Sequence, residues 1–180
     1  MQIRKGSKKV KLFMYTSNYW IEKLKLQKHP EGGYFKEVYK AKEMIKKEHL
    51  PKRYSGDRFH STSIYFLITP DNFSAFHRIK SDETWHFYYG SSLSLHIISK
   101  KGEYLSIKLG NNPENGEVFQ YTVEKGDWFA ASVDEKDSYS LLGCTVSPGF
   151  DYDDFEMGKK DELTENFPQF KKLINRFARI

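Results

Sequence analysis

Apolar and polar residues alternate with a period of two through much of the chain from residue 61 to residue 147, the pattern of half-buried strands. The segments 61–68 (STSIYFLI), 73–79 (FSAFHRI), 84–90 (TWHFYYG), 92–99 (SLSLHIIS), 104–110 (YLSIKLG), 117–123 (EVFQYTV), 128–133 (WFAASV) and 138–147 (SYSLLGCTVS) read as strands. Between them stand TPDN, KSDE, KKGE, NNPENG and EKGD, built from residues that favour tight turns. Short strands at even spacing, with no helix between them, predict an antiparallel barrel or sandwich. Upstream, HPEGGYF predicts a turn at Pro30 and Gly32-Gly33 that leads into a further strand, GYFKEVYKA.

Two stretches carry the helical period instead. Trp20, Ile21 and Leu24 share one face of a short helix, with Ser17-Asn18 as its cap and Glu22 in its first turn. Near the other end Phe170, Leu173, Ile174 and Phe177 follow the i, i+3, i+4, i+7 spacing, Pro168 suits a first turn, and Lys/Arg gather toward the end. That helix is expected on the outside of the barrel. Residues 42–58 are polar and irregular and read as a long excursion or mobile flap. The division this suggests is a basic N-terminal extension over 1–16 and one barrel domain over 17–180, a length ample for a sizeable core.

Composition narrows the class. Aromatic residues make up 16% of the chain, too many for a disordered one. The net charge of +5 rests on lysines concentrated in KGSKKVK and YKAKEMIKKEH, without a nucleic-acid recognition motif, so nucleic acid is not an expected partner. No apolar run approaches the ~20 residues that span a bilayer, and the start of the chain lacks the continuous apolar centre of a signal peptide. A lone cysteine, Cys144, precludes an internal disulfide and fits a reducing, cytoplasmic setting. Flanked by apolar residues, it reads as a buried inert thiol.

The stretch FHRIKSDETWHFYYG (76–90) concentrates the chemistry. Strand alternation puts His77 on one face with Ile79, and Glu83 with Trp85, Phe87 and Tyr89, while His86 and Tyr88 take the opposite parity. A divalent metal held by His77, Glu83 and His86 therefore requires a bulge, or a strand that begins after Glu83. Without metal, His77 serves as a general base with Glu83 orienting it or acting as acid, or the two form a polar pair that closes the barrel mouth. Asp151, Asp153, Asp154 and Glu156 lack the calcium-loop pattern and read as turn caps and partners for Lys or Arg.

The spacing His77-x-Ile79, three residues, Glu83, six residues, Gly90 resembles the first motif of the cupin superfamily, with isoleucine at the second histidine position. Gly126-Asp127 matches the start of the second motif, but Ser132, Asp134 and Asp137 stand where its Pro, Gly and His belong. Longer stretches, HPEGGYFKEVYK, STSIYFLI, WFAA and above all GCTVSPGFDYDDFEM with DELTENFP, resemble the cupin-5 family, formerly domain of unknown function 985, over about residues 20–170. The resemblance implies a double-stranded β-helix (jelly-roll) barrel, a homodimer in which the strand after HPEGG crosses over, and a pocket for a small polar, carbohydrate-like molecule. Tyr34, Lys36 and Ser63 lie in the resemblance motifs and offer hydroxyl or ammonium contacts to a ligand; Tyr65, Trp85 and Trp128 read as core or as pocket wall, and His86 as a pocket residue or an exterior or interface one. An isomerase, epimerase or lyase and a non-catalytic binding module both fit such a pocket. A solidly packed interaction barrel would have none.

Overall fold

The protein was analysed as a computed structural model, which describes residues 15–179. The basic extension expected over 1–16 lies outside the described residues except for its last two. The strands are β1 (Gln27–Lys28), β2 (Tyr34–Lys40), β3 (Met44–Ile45), β4 (Arg58–Phe59), β5 (Thr62–Ile68), β6 (Ser74–Ile79) and β7 (Asp82–Gly90). They continue with β8 (Leu93–Ile98), β9 (Tyr104–Leu109), β10 (Gln120–Val123), β11 (Trp128–Val133), β12 (Ser140–Ser147) and β13 (Phe155–Met157). The helices are α1 (Ser17–Leu24), α2 (Lys160–Asn166) and α3 (Lys171–Phe177).

Two antiparallel sheets face each other, ordered β1-β2-β5-β12-β7-β10 and β13-β6-β11-β8-β9, in the jelly-roll arrangement. Their inward residues follow the period of two. Phe66 and Ile68 from β5, Trp85 and Phe87 from β7, Leu95 and Ile97 from β8, Phe129 from β11 and Leu142 from β12 pack into one buried cluster. Each large side chain removed from water contributes roughly 1.5–3 kcal/mol, so this cluster is the main source of cohesion. It fills only part of the interior; the rest is the cavity described below.

Each sheet has a partly covered outer face. α3 lays Ile174 and Phe177 on Phe76, Ile98 and Ala130, as the terminal pattern predicted, and α2, which the sequence reading did not resolve, adds Leu163. α1 presents Trp20, Ile21 and Leu24 to Leu67, Tyr139 and Leu141 on the other sheet. Its cap is Thr16, whose hydroxyl accepts the Tyr19 N–H at 3.2 Å, rather than Ser17-Asn18, and Glu22 falls beyond the first turn. None of the helices is long and apolar enough to cross a membrane among the described residues.

Residues 42–58 are tied down, contrary to the flap expectation. β3 pairs with β4, and Asp57 accepts from Lys46 Nζ at 2.9 Å and from the Lys47 N–H at 2.8 Å. Arg53 donates to the Lys80 carbonyl, and Tyr54, 1% exposed, bonds Ser81 at 2.9 Å. The strongest tie is a bidentate pair: Arg58 Nε and a terminal Arg58 nitrogen each meet an Asp154 oxygen at 2.6 Å, with both side chains 3% exposed. The expectation that the aspartates after β12 pair with basic residues holds most fully at this position.

Candidate functional site

A cavity of about 100 Å³ opens at the end of the barrel not filled by the apolar cluster. Its sheet walls come from Thr62 and Ile64 (β5), Cys144 and Val146 (β12), Glu83 (β7), and His77 and Ile79 (β6). The 143–157 stretch returns across the mouth and contributes Phe150, Tyr152 and Phe155. The volume exceeds the ~10–15 Å³ that one water requires several-fold, so it takes a molecule of a few heavy atoms.

The polar centre is assembled by HPEGG. His29 N–H donates to the Gly33 carbonyl and Gly32 N–H to the His29 carbonyl, closing a tight turn. The Glu31 carbonyl then accepts from Ala75 N–H at 2.9 Å, which docks the turn onto β6. Gly32 is required here: its φ is +116°, and an added Cβ would run into the Phe73 carbonyl and the Arg179 guanidinium. The geometry delivers the Glu31 side chain, 7% exposed, into the barrel.

Glu31 joins three side chains. Ser74 Oγ donates to Oε1 at 2.9 Å, while Oε2 lies 3.1 Å from His77 Nε2 and 3.4 Å from His29 Nδ1. His77 Nδ1 lies 2.7 Å from the Ala75 carbonyl, which accepts only, so Nδ1 carries the proton and the neutral ring has its lone pair on Nε2. Burial pushes His77 down to about 3, against the opposing effect of its bond to Ala75, and burial holds His29 near 4. Burial, then the neighbouring Glu83, raise Glu31 well above the usual carboxylate range despite Ser74 and Arg179. The pair is therefore neutral, with the Glu31 hydroxyl donating to His77 Nε2.

Glu83 occupies a different environment. It is 8% exposed, and burial pushes it up to about 7, with only the Cys144 thiol, a weak donor, favouring its ionised form. Burial first, then Glu83 and Glu31, raise Cys144 well above its ordinary value, so the thiol stays protonated, as the apolar flanks predicted.

His77 and Glu83 both line the cavity; the other residues read as ligand contacts do not. Trp85 has the inward parity expected but is part of the apolar cluster, and its indole N–H has no hydrogen-bond partner among the described residues. Trp128 lies on the outer face of the second sheet, under α2 and α3, with the Arg78 guanidinium 4.4 Å from its ring. Tyr34 and Tyr65 pack with α1 outside the first sheet. Lys36 pairs in register with Tyr65 on that outer side, and Ser63 faces Thr145 there. His86 also lies there, its Nε2 3.2 Å from Thr145 Oγ1, so regular β7 alternation separates it from His77 and Glu83. Beyond it, a register shift opposite Leu141 and Leu142 inserts Tyr88 and turns Tyr89 outward, against its expected parity.

The His77, Glu83 and His86 metal set is thus not brought together. Isoleucine stands at the second histidine position, and both nitrogens of His77 are already engaged, by Ala75 and Glu31. No group of three or more His, Cys, Asp or Glu among the described residues has metal-holding geometry, so the donor set does not fit the metal that other cupins carry. The residues missed from sequence are His29 and Glu31, which reach the site from a turn rather than a strand. The signal was available: a histidine and a glutamate beside a glycine pair that forces the backbone inward.

The family model Cupin_5, described as cupin superfamily (DUF985), matches residues 18–158. The chain is a member of this family. A relative in Saccharomyces cerevisiae, itself uncharacterised, is 33% identical over 153 residues, covering 79% of this chain and 76% of the relative. Among solved structures, a hypothetical protein from Leishmania major is 39% identical with a TM-score of 0.84, covering 92% of this chain and 100% of its own. A protein from Shewanella oneidensis is 36% identical with a TM-score of 0.83, covering 92% and 99%. Oxalate decarboxylase from Bacillus subtilis shares the fold alone, at 17% identity and a TM-score of 0.51, over 84% of this chain and 36% of that enzyme. As in other cupins, the barrel of this Cupin_5 protein is the kind that binds small molecules.

Proposed function

We propose that this Cupin_5 protein is a binding module that captures a small polar molecule of a few heavy atoms in the barrel cavity without converting it. The observation that carries this reading is the buried contact of Glu31 with His77 Nε2 at 3.1 Å. A ring held near 3 is a poor general base at neutral pH, and its Nε2 is already satisfied by Glu31. What remains is a set of fixed hydrogen-bonding groups inside aromatic walls, the usual make-up of a ligand pocket.

The experiment is to release bound metabolites from purified protein by denaturation and identify them by mass spectrometry. One compound should be enriched over an Ile64→Phe variant that fills the cavity, and it should be recovered unaltered after long incubation. At a hundred times its Kd such a ligand adds about 2.7 kcal/mol of stability, visible as a raised Tm. Equal retention by parent and filled variant would remove the cavity as the site.

A second reading is favoured by one observation, the Glu83 carboxyl held at about 7, where proton transfer in both directions is efficient. On that reading the protein is an isomerase, epimerase or lyase in which Glu83 takes the base role that alternation had offered to His77. Recovery of an isomerised ligand, lost in Glu83→Gln, would select it.

We also infer a homodimer. The outer face of the first sheet exposes Tyr39 (54%) and Tyr88 (49%), and α1 covers only one end of it. β2 pairs within its own chain, with β1 alongside Tyr34 and Phe35 only, so among the described residues its edge from Lys36 onward is open to a partner. Light scattering should give twice the chain mass at micromolar concentration; the mass of one chain refutes the dimer.

A further inference from the structure

The charge of the cavity lining goes further than its volume. Glu31, Glu37 and Glu83 line it, whereas no Lys or Arg does so among the described residues. Glu37 lies at the exposed mouth, 3.7 Å from Lys40, and Arg179 sits behind Gly32, bonded to Asn72 and the Phe73 carbonyl. An anion entering this cavity would meet no countercharge. Phe35, Phe150, Tyr152 and Phe155 supply aromatic walls, which attract cations and not anions.

The carboxyls also differ in what they still lack. Glu31 is used up: Oε1 is bonded by Ser74, and Oε2 faces His77 and His29. Glu83, more than nine-tenths buried and lining the cavity, meets no oxygen or nitrogen donor among the described residues, only the Cys144 thiol. A buried carboxyl without a strong partner is costly, and a donor arriving with the ligand would relieve it. Resting on the binding reading above, we propose that the cavity takes a small organic cation, a primary amine or quaternary ammonium of a few heavy atoms, with its charge against Glu83 and its carbon skeleton against the aromatic wall.

Binding by this route releases a proton. Glu83 is held at about 7, so below that pH the carboxyl must give its proton to the buffer before it pairs with the cation. The other groups around it do not switch near neutrality. Cys144 is raised well above its ordinary value, Glu31 is raised likewise, and His77 and His29 are held near 3 and 4. Tyr152, at the mouth, is raised by burial and stays neutral, and Glu37 is paired with Lys40. Affinity for a cation therefore rises about tenfold for each pH unit approaching 7 from below and levels off above it, the slope of one coupled proton.

Three two-carbon probes of similar size separate the ligand classes: ethanolamine as the cation, glycolate as the anion and ethylene glycol as the neutral molecule. Calorimetry and melting on the full chain should show ethanolamine binding, glycolate silent, and a proton released to the buffer. Choline, whose charge does not titrate, should show the same pH slope. Glu83→Gln keeps the shape of the side chain and should weaken ethanolamine at least tenfold, with its own melt reporting that it folds. Glycolate or ethylene glycol binding as tightly as ethanolamine would overturn the charge class and leave the cavity as a binding site. Silence of all three probes, with no metabolite enriched over Ile64→Phe, would remove the cavity reading itself. If the probes are silent but a metabolite is enriched, its charge decides, a cation supporting the proposal and an anion or neutral molecule overturning it.

Discussion

Asp154→Asn should lower the unfolding free energy by about 3–5 kcal/mol, the cost of removing one partner from a buried ion pair. Asn keeps the shape of Asp154 but leaves the Arg58 guanidinium, 3% exposed, without the carboxylate it is bonded to, only Asp151 and Asp153 acting on it from further away. Lys80, 3.4 Å from the same carboxylate, loses that charge as well and keeps only its bond to the Asp153 carbonyl. The loss reaches the cavity, because Asp154 lies in the stretch that carries Phe150, Tyr152 and Phe155 across its mouth. Replacing both partners, Arg58→Met with Asp154→Leu, should recover most of the stability, since desolvating the pair offsets much of its attraction. Urea unfolding of both variants measures this. A loss below about 1 kcal/mol in Asp154→Asn would place the pair among weak surface contacts.

Gly32→Ala is expected to cost about 2–5 kcal/mol, combining a left-handed backbone with overlap against neighbouring atoms. At φ +116° the new Cβ would run into the Phe73 carbonyl and come within 2.9 Å of Asn72 Oδ1. Backbone cannot yield as a flexible side-chain end can, so the turn must move and carry Glu31 with it. Gly116→Ala is the control: its φ is +72° with nothing within 4 Å of the added atom, and only the backbone cost of about 1–2 kcal/mol applies. Thermal or urea melts of the two should differ clearly. Equal melts for the two variants would sink the claim that Gly32 is sterically required.

The strands were legible because each is long enough to show alternation and is bounded by turn residues, as in β5, β8 and β12. β3 and β4, at two residues each, cannot display a period, so the 42–58 segment looked shapeless. What orders it is Arg58 meeting Asp154, a contact 96 residues apart that no local pattern announces. Within the site, His77 and Glu83 followed from motif spacing and strand parity. For Trp128 and Trp85 the sequence left core and pocket wall both open, because an aromatic on a strand serves an outer helix or a core as readily as a pocket, and the structure places both away from the cavity. Tyr89 misled because one bulge reverses parity downstream. Glu31 was hidden most thoroughly, since a turn has no inward face until its docking partner is known.

The unequal filling of the barrel has an evolutionary reading. Phe66, Phe87, Leu95 and Phe129 hold the sheets together at one end, while Thr62, Val146 and Phe150 border the hollow at the other. Mutations in the first group are purged by their effect on folding; mutations in the second reshape the hollow and leave the scaffold standing. Chains that share this architecture are thereby free to drift in the lining of the hollow while their framework stays recognisable.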